Sequence, residues 1–179
     1  IGEFYLYKYA GINPQNGETQ YYDKNGAITE NPVDEDRQWL DKSSLPVYQG
    51  SFGIDVNYKG FFVQANFTFA KDIWRFDNDY FFYTQPSSVG TSNMTKDYLD
   101  YWTTSNRDAT FSNPNANNLY HLSDSDFYLN DASYIRMRFV TVGYNFKKSD
   151  LAFMKLSGLR VYAQAENLLT WTKWKGWDA

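Results

Sequence analysis

ASYIRMRFVTVGYNF (132–146), KKSDLAFMKLSG (147–158) and LRVYAQAENLLTW (159–171) run on from one another, and their reading decides the fold. In the first piece Val140, Val142, Tyr144 and Phe146 share one parity, while Thr141, Gly143 and Asn145 share the other. Successive side chains of a pleated strand point to opposite faces, so this pattern predicts a strand with one apolar and one polar face. The third piece repeats it, with Leu159, Val161, Ala163 and Ala165 alternating with Arg160, Tyr162, Gln164 and Glu166. Two amphipathic strands joined by a short connector suit either a soluble sheet or a barrel wall. The rest of the chain has to choose.

Composition leans one way. Aromatic residues are 20% of the 179, yet the mean hydropathy is −0.63. Aromatics are therefore interleaved with polar residues rather than gathered into a greasy core, as in transmembrane β-barrels with apolar outer faces and aromatic girdles. No run approaches the roughly eighteen consecutive apolar residues of a membrane helix. The opening IGEFYLYKYAG has neither a basic n-region nor an apolar h-region, so any signal peptide is expected outside this chain. With no cysteine there is no disulfide framework and no thiolate metal site. A net charge of −4 argues against nucleic acid, which calls for clustered Lys and Arg. The nearest approach to a basic patch is Arg136 with Arg138.

Working outward, residues 2–10 alternate aromatic with other residues and predict a strand ending at Gly11. Breakers at Asn13-Pro14, Asn16-Gly17, Asn25-Gly26, Asn31-Pro32 and Pro46 make 11–50 a long structured connection with small hairpins. A clear hairpin follows. Phe52, Ile54, Val56 and Tyr58 oppose Ser51, Asp55 and Asn57 in parity, Lys59-Gly60 turns the chain, and Phe61, Val63, Ala65, Phe67 and Phe69 alternate with Gln64, Asn66 and Thr68. A second long connection, 71–131, holds a predicted short helix near 94–102 capped by Ser92 or Asn93. Connections thus run long, short, long, short, which a sandwich or lipocalin has no physical reason to do and which an outer-membrane barrel does. One irregularity remains: Ile135, Met137 and Phe139 sit on the parity opposite to Val140, Val142 and Tyr144. Either a bulge corrects the phase or the strand leaves a bilayer there. The second is preferred, because Arg on a lipid-facing position costs roughly 2–4 kcal/mol at the midplane and about 0–1 kcal/mol near the interface.

SYIRMRFVTVGYNF and LRVYAQAENLLTWTKWKGWD, over 132–178, resemble the C-terminal signature of SusC/RagA-like TonB-dependent outer-membrane transporters. IGEFYLYKYAGINPQNGETQYYDKNG (1–26) and MTKDYLDYWTTSNRDATF (94–111) look like further segments of that family. The resemblance implies an all-β fold: an antiparallel transmembrane β-barrel segment with long extracellular loops, about five strands of a roughly 22-stranded barrel. On this expectation 1–179 belongs to one C-terminal barrel domain, with the plug, most strands and the final strand elsewhere. It also implies a multi-pass location in the outer membrane of a Gram-negative bacterium and TonB-driven uptake of an oligosaccharide or peptide. The partners implied are a SusD-like surface lipoprotein, the TonB complex and outer-membrane lipid.

No catalytic constellation is visible. Glu166 lacks a partner acid or nucleophile, and no G-x-S-x-G, P-loop or Rossmann fingerprint occurs, so the expectation is a protein that is not an enzyme. His121 stands alone, which leaves no histidine-based metal cluster. Asp124, Asp126 and Asp131, with Asp72, Asp77 and Asp79, have the oxygens for calcium without EF-hand spacing; solvated loop carboxylates are the simpler reading. Trp39, Trp74, Tyr80, Trp102 and Tyr120 are candidate substrate or lid contacts, against the simpler reading that they pack the loops together. Tyr144, Phe146, Trp171, Trp174 and Trp177 are candidates for an interfacial girdle. The alternative to transport is a soluble secreted β-sandwich carbohydrate-binding module, in which Phe52, Ile54, Phe67, Phe69, Val140 and Val142 face a second sheet.

Overall fold

A computed structural model describes residues 2–177; Ile1, Asp178 and Ala179, which end two of the stretches carrying the resemblance, lie outside the described residues. The strands are β1 (Glu3–Leu6), β2 (Lys8–Ile12), β3 (Thr19–Tyr22), β4 (Ile28–Thr29), β5 (Gln38–Ser43), β6 (Tyr48–Tyr58), β7 (Phe61–Lys71), β8 (Trp74–Phe76), β9 (Leu129–Asp131), β10 (Tyr134–Phe146) and β11 (Leu159–Thr172), with one α-helix among the described residues, α1 (Asn78–Thr84), and several short 3-10 turns. They divide between two compact units. One takes residues 2–45, 74–131 and 176–177, and the other Pro46–Ile73 and Ala132–Lys175.

The second unit is a four-stranded antiparallel sheet in the order β11-β10-β7-β6. Its register follows from the alternation in the sequence. Cross-strand rows Phe52–Phe67–Met137–Leu169, Ile54–Ala65–Val140–Ala165, Val56–Val63–Val142–Ala163 and Tyr58–Phe61–Tyr144–Val161 build one apolar face. Rows such as Asp55–Gln64–Thr141–Gln164 and Ser51–Thr68–Arg136–Thr170 build a polar one. The β6–β7 turn is tight because Lys59 (φ 47°) and Gly60 (φ 96°) both take the left-handed region, matching the twist of the strands. A small core of Ala70, Ile73 and Ala132, with Tyr134 and Trp174 packed on it, closes one end.

The irregular phase in β10 is a bulge, not an exit from a bilayer. Against β7 the register steps from Met137↔Phe67 to Phe139↔Asn66, which leaves Arg138 as the extra residue. Ile135 and Met137 thereby rejoin Val140 on the apolar face, while Phe139 passes to the polar face opposite Asn66 and Glu166. β11 breaks register at the same level, with Asn167 at φ 50°, and the Arg138 guanidinium donates to Asn167 Oδ1 at 3.1 Å. Arg138 stitches the irregularity to β11.

The expected barrel segment is also corrected. The described strands fall into four separate open sheets, and the largest ends at β6 and β11 without closing. The described strands therefore form no closed transmembrane barrel, and the multi-pass location inferred from one is withdrawn. No helix among the described residues is long and apolar enough to cross a membrane. Residues 2–10, expected as a fifth wall strand, instead split into β1, paired with β5, and β2, paired with β3. The split falls at Tyr7, which is buried and bridges to Ser125: its amide donates to the Asp124 carbonyl at 2.9 Å and its carbonyl accepts from the Asp126 amide at 3.1 Å. Of the aromatics in this stretch only Tyr7 is buried, while Tyr5 is exposed and Phe4 and Tyr9 are half-buried. The helix, too, lies elsewhere: Asp77 accepts from the Tyr80 amide and caps α1, whereas the 94–102 stretch forms only a 3-10 turn, Lys96–Leu99.

Candidate functional site

The first unit gathers both long connections around an aromatic centre. Tyr128 is buried and packs edge-on against Phe81, Phe127 and Tyr80, with ring centroids 5.2, 4.7 and 6.1 Å away. Its hydroxyl lies 2.7 Å from Thr84 Oγ1 at the end of α1. Tyr7, Tyr21 and His121 form a second edge-to-face group. Such rings bury large apolar area with defined geometry, so short strands and turns suffice to hold the unit.

One buried amide ties the two connections together. Asn118 Oδ1 accepts from the amide and the hydroxyl of Thr19 at 3.2 and 2.6 Å, and Asn118 Nδ2 donates to the carbonyls of Thr19 and Glu30, each at 2.7 Å. Asp126 does similar work, accepting from the Tyr9 amide at 2.8 Å and lying 3.7 Å from Lys42 Nζ. Arg37 lies 4.8 Å from the Tyr7 ring and pairs with Asp124 at 3.1 Å.

This framework leaves a cleft of about 360 Å3 between α1, the segment that follows it and the 3-10 turn Leu119–Asp124. Phe81, Pro86, Leu119, Tyr120, Leu122 and Tyr128 supply its apolar wall, and Gln85, Ser87 and Ser123 supply polar groups. Among the described residues no charged side chain lines it. A concave, largely apolar surface with a few polar groups is the usual form of a ligand site.

Of the five candidate contacts only Tyr120 stands in this cleft, 69% exposed, with its ring 3.9 Å from His121. Trp102 is buried and its indole donates to the Pro14 carbonyl at 3.2 Å, so it packs the loops together. Tyr80 is half-buried against Phe111 and Tyr128, and its hydroxyl donates to Asp97 at 3.0 Å. Trp74 lies under the Lys42 ammonium, 4.4 Å from the ring centroid. Trp39 is 63% exposed and pairs with Tyr5 at 5.1 Å, apart from the cleft lining. Phe81, Leu122 and Tyr128 were not singled out from sequence; the cleft arises from folding 81–87 against 119–128, which no local pattern announces.

The proposed calcium carboxylates do not converge. No group of three His, Asp or Glu able to hold a metal occurs among the described residues. Asp77 caps α1, Asp124 pairs with Arg37 and Asp126 serves Tyr9 and Lys42. The girdle candidates also separate. Tyr144 and Phe146, ring centroids 4.8 Å apart, lie at the Lys59-Gly60 end of the sheet. Trp171 sits opposite Ile135 at the other end, Trp174 packs on the small core, and Trp177 is 81% exposed.

No protein-family model matches the chain. It is 27% identical over 195 residues to TonB-dependent receptor P3 of Formosa agariphila, an alignment covering 99% of this chain and 18% of that protein. Among solved structures, the RagAB peptide transporter is 28% identical with a TM-score of 0.87, over 98% of this chain and 20% of that one. The RagAB peptide importer in its "closed-closed" state gives 28% identity and a TM-score of 0.84 over 98% of this chain and 20% of that one. The chain is a distant match to SusC/RagA-type TonB-dependent transporters and receptors, and it spans about a fifth of the length of these relatives.

Proposed function

We propose that this chain is the part of a TonB-dependent nutrient importer that supplies a sheet scaffold and a ligand-contacting loop unit. The observation that carries this reading is the extent of the likeness: 98% of the chain superposes on an importer at TM-scores of 0.84 to 0.87, so the cleft unit is included with the sheet. The solved relatives are described as importing peptides, which favours a peptide over an oligosaccharide as cargo. The chain's own side chains bind rather than react: the cleft presents rings, hydroxyls and an amide, with no acid–base pair. A SusD-like surface lipoprotein and a TonB-type energising complex are the proposed partners, and both units are proposed to belong to one C-terminal region of a longer protein. In the full-length protein, Tyr120→Ala combined with Phe81→Ala is expected to lower uptake of a labelled peptide mixture about tenfold, the loss of about 1.4 kcal/mol of binding. Unchanged uptake at equal protein level would overturn the assignment of the cleft.

A second reading, a carbohydrate-binding module, is favoured by the open sheets and by the solvent-exposed Tyr5–Trp39 pair, which offers ring faces to a sugar. It predicts glycan binding that Trp39→Ala abolishes and Tyr120→Ala spares.

A further inference from the structure

The two units differ sharply in charge. Residues 2–45 and 74–131 carry 16 Asp and Glu against 7 Lys and Arg, while 46–73 and 132–175 carry 4 against 10. The modest net charge of −4 hides this division. Within the acidic unit, Arg37 and Lys42 are already drawn into ion pairs with its own carboxylates. Asp79, in the first turn of α1 two residues before the cleft residue Phe81, is exposed.

We propose that the cleft selects cationic peptides, taking one bulky apolar side chain between Phe81, Tyr120 and Tyr128 while the acidic surface of the same unit draws in Lys or Arg on either side of it. This inference rests on the reading of the chain as part of a peptide importer. The lining holds no charge, so the apolar anchor is indifferent to the sign of the peptide and the discrimination comes from the surrounding field. A surface field of one sign raises the local concentration of oppositely charged ligands and is screened by salt. An acid inside the lining would instead give a contact pair that salt weakens less.

The test uses the full-length protein and three labelled peptides of one apolar framework, bearing Lys, Gln or Glu at the same positions. At low salt the Lys peptide is expected to bind at least about tenfold more tightly than the Glu peptide. The three affinities are expected to converge as ionic strength rises from about 0.01 M to about 1 M, where the Debye length falls from about 30 Å to about 3 Å. Tyr120→Ala, at an exposed position, is expected to weaken all three by a similar factor. Equal affinities at low salt, a preference for Glu, or a Lys preference that survives high salt would each overturn the charge selection and leave the importer reading standing. An unchanged set of affinities in Tyr120→Ala would overturn the cleft as the site. Failure of all three peptides to bind would overturn the importer reading itself.

Discussion

At the residue scale the most tightly enclosed glycine of the sheet is Gly143. A Cβ there would lie 2.5 Å from both the Phe62 ring and the Val161 carbonyl oxygen. Phe62 is 2% exposed, held between Gly143 and the Arg160 guanidinium 4.0 Å from its ring centroid. Rotation can move a ring but not a backbone oxygen, so Gly143→Ala is expected to destabilise by about 1–3 kcal/mol, read as a lower denaturant midpoint with unchanged slope. A wild-type midpoint would contradict the packing. His121 gives a second test. Burial among the rings of Tyr7, Tyr21 and Tyr120 holds its pKa below the ordinary value, with Arg37 adding to the effect and Asp124 opposing it. The folded pKa is the lower one, so the unfolded chain takes up the proton first, below about 6.5. The contribution is complete above that pH and is lost as pH falls towards the folded value. The melting temperature of the acidic unit is therefore expected to drop between about pH 7.5 and pH 5.5, and the drop to shrink in His121→Gln.

At the scale of the element, the bulge in β10 controls which face each end of the strand shows. Removing Arg138 would make the strand regular with every partner on β7 kept, Met137 still opposite Phe67 and Phe139 opposite Asn66, so that 134–137 hold their present faces. Deletion of Arg138 is therefore expected to cost about as much as Arg138→Ala, which loses the bond to Asn167 and should cost about 1 kcal/mol. A deletion that costs several kcal/mol more than the substitution would mean that 134–137 turn over and would contradict this register. The bulge marks where sequence reading succeeds and stops. Alternation placed β6, β7, β10 and β11, because a period of two is local and one face of each strand is apolar throughout. The phase shift at Phe139 was visible too, but a bulge and a change of surroundings leave the same trace in a single strand; only the partners β7 and β11 distinguish them. For the cleft the sequence supplied Tyr120 and no more. Phe81 and Tyr128 meet through a fold in which Asn118, one residue of a Ser/Asn-rich run, fixes the geometry with four hydrogen bonds.

For the molecule as a whole, the open order of the large sheet has a consequence that backbone amides can report. β7 and β10 each have a hydrogen-bonded neighbour on both sides, whereas β6 and β11 have one on one side only. Along an antiparallel edge strand, alternate N–H groups point away from the sheet and meet no partner, so half of the edge amides should exchange fast while inner amides wait for the ladder to open. Composition does not predict this ranking. β11 carries Leu159, Leu168, Leu169 and Trp171, and by apolar content alone it would rank with β10. Its side chains are nevertheless exposed along nearly its whole length. Hydrogen–deuterium exchange of the 179-residue chain is therefore expected to show slow amides through 61–71 and 134–146 and an alternation of slow and fast amides through 48–58 and 159–172. Uniform protection across all four strands would show that β6 and β11 find further strand partners, and the sheet would then have to be redrawn with neighbours on both sides.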